Sequence, residues 1–351
     1  MRIIGLMSGT SLDGVDAALL DTDGATVSGF GPALTLPYPA ALRARLRALL
    51  DRAPTLAETD PELLDATAAL TRHHAEAVAA LGEGADMIGF HGQTILHAPA
   101  QRRTWQIGDA ALLARLTNTP VAYDFRSADV TAGGQGAPLV PVFHAALAAG
   151  LEQPLAVLNI GGVANITFLC GETLLACDTG PGCALLDDFC ARHLGEPMDR
   201  GGRLAATGTP HEPSLADLVA HPFFTQPAPK SLDRQAFAQA LRTVEPLSPA
   251  DGAATLAAFT ARAAAATPWP QAPRRVLVTG GGRHNPAIMA ALAAAFACPV
   301  APVEAVGWYG DALEAQCFAY LAARVRLGLP LSFPGTTGVP APMPGGRIAL
   351  P

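Results

Sequence analysis

The stretch that most constrains this chain is Gly5-Leu-Met-Ser-Gly-Thr-Ser-Leu-Asp-Gly-Val-Asp16. Apolar Ile3, Ile4 and Leu6 lead into it, and Val15, Ala17, Ala18, Leu19 and Leu20 lead out. The pattern predicts strand, tight polar turn, strand. Gly9 and Gly14 are free to take backbone angles closed to other residues, and they put no side chain in a ligand's way. Thr10 and Ser11 supply hydroxyls. Successive backbone N–H groups along Gly9–Asp16, Leu12 and Val15 included, can form an anion-binding concavity. Asp13 and Asp16 are hard oxygen ligands of the kind Mg²⁺ takes, directly or through water. Together these residues suggest a loop for the phosphates of a Mg²⁺-nucleotide. The plain alternative is a hairpin turn, where Gly, Ser and Asp are also favoured. The Gly-x4-Gly-Lys-Ser/Thr pattern of a P-loop is absent, and a strand pattern rather than a helix follows.

The same organisation recurs further on. Leu155–Leu158 is apolar, Asn159-Ile-Gly-Gly162 is a turn with Gly161 and Gly162 at its tip, and Ala164–Leu169 is apolar. Gly171-Glu172 turns the chain into Leu174–Ala176, which ends at Asp178-Thr-Gly-Pro-Gly182. Three strands precede a helix in both places, so the architecture reads as duplicated without a letter-by-letter repeat. Two lobes, each opening with a glycine-rich hairpin, suggest one ligand clamped between two turns. The flexible run Thr131-Ala-Gly-Gly-Gln-Gly136 is the expected hinge. It gives an N-terminal lobe 1–134 and a C-terminal lobe 135–351, with a Pro/Gly-rich tail 330–351 laid irregularly over the surface.

A third glycine run, Gly280-Gly281-Gly282, follows the apolar strand Arg275–Val278 and precedes a helix opened by Pro286. It lets a flat ring or a phosphate approach the backbone closely. Asp86–Phe90 is a short strand ending in His91-Gly-Gln-Thr94. At a strand's C-terminal end, where α/β proteins place ligands, His91 and Gln93 read either as polyol contacts or as a turn with a structural histidine. Helices are expected at 41–52, from Pro61 to about Leu81, and over 185–194, 233–242, 251–266 and 311–327. His73 and His74 are read as surface or partly packed. Glu314, in the first turn of the last helix, suits the helix dipole. Arg126 either faces a phosphate or pairs with Asp129. Lys230, the single lysine, is read as solvated surface.

The remaining properties narrow the function classes. A chain of 351 residues has room for two domains and a large core. A formal net charge of −7 argues against a nucleic-acid-binding surface. No apolar run reaches membrane-spanning length, and the chain opens directly into Arg2-Ile-Ile-Gly with no secretory signal. The six cysteines fit no zinc spacing, so reduced thiols of a cytoplasmic protein are expected.

Three glycine-rich turns after apolar strands form the phosphate-1, phosphate-2 and adenosine arrangement of the actin-like ATPase fold, which the chain resembles. Within that superfamily, five motifs in order resemble anhydro-N-acetylmuramic acid kinases. They are Met7–Asp16, Gly89-Phe-His-Gly-Gln-Thr94, Asn159-Ile-Gly-Gly-Val-Ala-Asn-Ile-Thr167, Asp178–Gly182 and Gly307-Trp-Tyr-Gly-Asp-Ala-Leu-Glu-Ala-Gln316. The resemblance implies a two-lobed α/β (ribonuclease H-like) fold, each lobe a mixed sheet flanked by helices, with the active-site cleft between the lobes. It implies that ATP and Mg²⁺ are used to open the 1,6-anhydro ring of 1,6-anhydro-N-acetylmuramic acid with water. Phosphorylation of O6 then yields N-acetylmuramic acid 6-phosphate for peptidoglycan recycling. Asp178 matches the family's general base. His91, Gln93 and Glu314 are implied sugar contacts, and a homodimer is implied. The alternatives are a kinase of an ordinary hexose or amino sugar and a nucleotide-switched binding protein of the Hsp70 or actin type. The chain departs from the family at Cys183, where Asn is usual, and at Lys230-Ser-Leu-Asp-Arg-Gln235.

Overall fold

A computed structural model describes residues 1–232 and 237–351. The chain divides into two compact units, residues 1–149 with 312–351, and residues 150–311.

The first unit opens with three antiparallel strands, β1 (Arg2–Ser8), β2 (Gly14–Thr22) and β3 (Val27–Pro37). β4 (Met87–Ala98) returns parallel to β1, β5 (Arg103–Ile107) folds back on β4, and β6 (Val121–Tyr123) runs parallel to β4. The second unit contains β7 (Leu155–Ile160), β8 (Val163–Cys170), β9 (Thr173–Pro181), β10 (Arg275–Thr279) and β11 (Val300–Pro302). Its first three strands are antiparallel, and β10 and β11 continue parallel to β7. Set side by side, the orders are β3-β2-β1-β4-β6 and β9-β8-β7-β10-β11. One plan is built twice, as the recurring hairpin pattern predicts.

Central strands of such sheets carry near-continuous apolar runs because both faces are covered. β1 and β7 fit this description, with Ile3, Ile4, Leu6 and Leu155–Leu158 all buried. One covering helix of the first sheet is Leu313–Leu327. At two points it packs directly against strand backbone. A Cβ on Gly5 would lie 1.8 Å from the Ala315 carbonyl oxygen, and one on Gly89 would lie 2.1 Å from that of Phe318. In the second unit the helix Pro249–Ala265 is buried along most of its length. Ser248 caps it by accepting the Asp251 N–H at 3.1 Å, and Pro249 opens it.

Several expectations need correction. The division does not fall at 134. The run Thr131–Gly136 lies inside the first unit, and the chain crosses between units at 149/150 and again at 311/312. The tail is not irregular. Helix Pro334–Thr337 ends in two buried threonines, and β12 (Arg347–Ala349) pairs antiparallel with β6 as the sheet's last strand. β4 does not stop at Phe90 but runs through His91 to Ala98, with Gly92 at a φ of +72°. His73 and His74 are both buried, and burial pulls the His74 imidazole down to about 4. The helix expected over 233–242 begins on residues 233–236, which lie outside the described residues. Beyond them a helix spans Ala240–Val244.

Candidate active site

In the first unit, the Gly9–Asp16 turn obtains its shape from an unexpected residue. Leu12, not a glycine, takes the left-handed conformation, at a φ of +59°. Such a backbone is strained for a branched side chain and persists only where packing over-determines it. The Leu12 side chain is fully buried, and its N–H donates to the Gly9 carbonyl at 3.1 Å. Gly14 is needed because β3 passes close by, so that a Cβ would meet the Leu36 oxygen at 2.4 Å. Val15 is buried beneath the turn, while Thr10 and Ser11 are exposed. Arg43 and Arg47 each reach the Ser11 carbonyl at 3.4 Å, and Arg43 also pairs with Asp13 at 3.2 Å. Asp13 is therefore an exposed carboxylate already facing a cation. Asp16 is half-buried and accepts the Thr35 hydroxyl at 2.5 Å.

Behind the turn runs a buried chain of polar groups. Tyr38 donates to Ser8 at 2.7 Å, and Ser8 donates to Gln93 at 2.5 Å. Gln93 is fully buried and also donates to the Thr94 carbonyl. His91 is buried too. Its Nδ1 lies 2.8 Å from the Gly92 carbonyl, and its Nε2 lies 3.1 Å from Arg126 Nε. An arginine only donates, so Nε2 accepts and the proton sits on Nδ1, bonded to Gly92. Burial, reinforced by Arg126, holds the ring well below the usual imidazole range and hence neutral. Arg126 makes no ion pair with Asp129 among the described residues. Its Nη1 donates to the Gly136 carbonyl at 2.7 Å. Glu314 reaches solvent yet is surrounded by protein. Burial raises its carboxyl above the usual range, Asp16 adds to the rise, and Arg126 opposes it. Asp16, Arg126 and Glu314 therefore share one electrostatic neighbourhood.

In the second unit, sheet register aligns a polar row. Thr279 pairs with Asn159, Asn159 with Asn165, and Asn165 with Asp178, across β10, β7, β8 and β9. Residues directly opposite one another share a face of the sheet. The Asn159 end of the row touches the glycine run, since a Cβ on Gly280 would lie 2.3 Å from Asn159 Oδ1. Gly282 packs on Ile160 and comes near Cys183, and Gly281 is open on its outer side. The Gly161–Gly162 turn accepts the backbone N–H groups of Cys183 at 2.7 Å and Gly182 at 3.0 Å. Asn159, Gly161, Gly162, Gly280, Gly282 and Cys183 thus form one cluster. The Cys183 thiol is pushed up to about 12 by burial and is not a nucleophile.

Asp178 stands at the far end of the row. Its Oδ2 accepts the Leu232 N–H at 2.7 Å, and its own N–H donates to the Lys230 carbonyl at 2.9 Å. Burial lifts its carboxyl to about 6, against opposing effects from the Leu232 bond and the Lys230 charge. Lys230 is not solvated surface. It is half-buried, donates to the Phe223 carbonyl at 2.8 Å, and lies over the Phe223 ring. Of the unusual 230–235 loop, residues 233–235 lie outside the described residues.

Sequence reasoning overlooked three groups. Asn165 was detectable, because Asn159-Ile-Gly-Gly-Val-Ala-Asn165 is spaced symmetrically about its turn. Arg283 holds the glycine run by donating to the Gly280 carbonyl at 2.9 Å while pairing with Glu304 and Asp311. The Lys230–Leu232 backbone had no local signal, because its role depends on a contact 54 residues distant. Among the described residues no group of three or more His, Cys, Asp or Glu side chains is placed to hold a metal ion. No helix among the described residues is long and apolar enough to cross a membrane.

The two units share one α/β plan, with glycine turns at the ends of their opening strands and, in the second unit, an aspartate at the end of a polar row, an arrangement that suits a phosphotransferase. The family model for anhydro-N-acetylmuramic acid kinase matches residues 1–349. The anhydro-N-acetylmuramic acid kinase of Acidiphilium cryptum is 64% identical over 354 residues, covering 100% of this chain and 99% of that protein. The enzyme of the same name from Gluconobacter oxydans is 55% identical, with 98% of each chain covered. The chain belongs to the anhydro-N-acetylmuramic acid kinase family.

Proposed function

We propose that this kinase uses ATP and water to open the 1,6-anhydro ring of 1,6-anhydro-N-acetylmuramic acid and phosphorylates O6, giving N-acetylmuramic acid 6-phosphate. Family membership supports the substrate. The observation that carries the chemistry is Asp178, whose carboxyl sits at about 6 and whose Oδ2 is fixed by a backbone donor. A general base works best with a pKa near the working pH. Asp178 takes a proton from water as the water attacks C1. The bridging O6 leaves C1 but stays attached to C6, where it becomes the phosphoryl acceptor.

Phosphoryl transfer depends mostly on positioning and charge neutralisation. In this reading Gly9, Thr10, Ser11, Leu12, Gly14 and Val15 form one phosphate turn. Asn159, Gly161 and Gly162 form another, and Gly280–Gly282 face the adenosine. His91 and Glu314 serve the sugar, and Gln93 supports them from its buried position. Mg²⁺ fits at Asp16, where the adjoining Glu314 carboxyl leaves negative charge to be offset. Asp13 fits less well because Arg43 already pairs with it. Mg²⁺ typically keeps several waters and takes one or two carboxylates plus phosphate, so a single aspartate is sufficient. When bound, it supplies charge neutralisation for the phosphates. A cytoplasmic homodimer acting in peptidoglycan recycling belongs to the same reading, with family membership as its support.

The test is ADP release on a panel of sugars with ATP and Mg²⁺, run in ¹⁸O-water. The proposal requires preference for the anhydro sugar and label at C1–OH. An unlabelled product rejects the hydrolytic step. Preference for free hexoses makes the protein an ordinary sugar kinase, and nucleotide binding without turnover on any sugar makes it a switch.

A further inference from the structure

Asp129 keeps only 2% of its surface exposed, and its hydrogen-bond partners are all neutral. Oδ1 accepts the Gly136 N–H at 2.6 Å. Oδ2 accepts the Thr337 hydroxyl at 2.6 Å and a very short bond from the Ser332 hydroxyl. Burying a carboxylate is costly unless its hydrogen bonds are complete, and a complete buried polar network fixes geometry. Two of these donors come from the C-terminal segment, about 200 residues away in sequence. That segment also accepts the Gln135 N–H on the Thr337 carbonyl at 2.7 Å.

The loop gripped in this way leads to the sugar-facing group. Gly136, held through its N–H, uses its carbonyl to accept Arg126 Nη1 at 2.7 Å. Arg126 in turn donates from Nε to His91 Nε2 at 3.1 Å. The loop is closely fitted, since a Cβ on Gly134 would lie 2.2 Å from Asp129 Oδ1. Resting on the assignment of His91 to the sugar, we propose that Asp129, with Ser332 and Thr337, is a positioning residue for the sugar site. It sets the Gly136 carbonyl that orients Arg126, and Arg126 selects the His91 tautomer with its proton on Nδ1. The C-terminal Pro334-Gly-Thr-Thr-Gly338 motif thereby acquires a role in substrate recognition.

The test compares Thr337→Val, Ser332→Ala and the conservative Thr337→Ser in the full-length protein. KM is measured separately for anhydro sugar and for ATP, and the His91 ring nitrogens are followed by ¹⁵N NMR. Thr337→Val should raise the sugar KM about five-fold, the scale of one lost hydrogen bond. KM for ATP should be unchanged, and the His91 signal should shift from one tautomer to a mixture. Thr337→Ser should restore both. Should Thr337→Val not fold, Ser332→Ala carries the same expectation. An unchanged sugar KM with an unchanged His91 spectrum overturns the proposal, as does a parallel rise in both KM values with a falling Tm. A wild-type protein inactive on the anhydro sugar defeats the functional reading instead, and the His91 spectrum still decides the positioning.

Discussion

The Leu232 backbone N–H donates to Asp178 Oδ2 at 2.7 Å, and the Asp178 N–H returns a bond to the loop through the Lys230 carbonyl at 2.9 Å. One carboxylate oxygen is thereby fixed by the backbone.

Asp178 should set the acid side of the pH profile. As a base it works ionised, so kcat/KM should fall as pH drops through about 6. Stability moves the other way. Burial disfavours the ionised form, so folding is favoured most below the ordinary carboxylate range and loses that advantage as pH rises through about 6. Asp178→Asn should therefore abolish turnover while raising Tm at pH 7.5 by about 2 °C. Pre-steady-state kinetics and calorimetry on one preparation check both, and residual full activity removes Asp178 as base.

Asn165 lies opposite Asp178 and opposite Asn159 in the sheet. Its place in the sheet is between Asp178 and Asn159. Asn165→Ala should lower kcat about ten-fold or more, the scale of a lost hydrogen bond to a charged group. Tm should barely move, because the side chain is only half-buried. Steady-state kinetics beside a thermal melt separate this from a packing defect.

Arg283 is buried and ties the Gly280 carbonyl to Glu304 and Asp311. A lysine cannot reproduce a guanidinium that serves three acceptors. Arg283→Lys should raise KM for ATP several-fold and leave KM for the sugar unchanged. Nucleotide titration by calorimetry gives the same comparison without turnover.

Gly89→Ala should cost at least about 2 kcal/mol, because its methyl would meet the Phe318 backbone at 2.1 Å and backbone does not yield as side chains do. A lowered denaturant midpoint at unchanged slope is the expected result. A midpoint equal to wild type would mean that the helix slides without penalty.

Local chemistry made much of this legible. Apolar runs broken by glycine turns predict the two three-stranded openings, and Asp60-Pro61 predicts a helix start that the structure caps through the Asp60 side chain. Long-range contacts were not legible. Leu12 reads as a filler between polar residues, and only its burial explains how a leucine comes to hold a left-handed backbone. Thr131–Gly136 looks like a hinge because it is rich in glycine. Gly134 packs closely on Asp129 and Gly136 on Val130, and two residues that hold the loop lie at the far end of the chain.

The helix Leu313–Leu327 covers the sheet that holds β1, and β12 is that sheet's edge strand, so the first unit takes its last elements from beyond the second. Translation therefore delivers every residue of the inserted unit before the founding unit has its cover. Without residues 313–327, Gly5 and Gly89 would lack the backbone they pack against. A message truncated after the second crossing should yield one finished half and one that cannot mature.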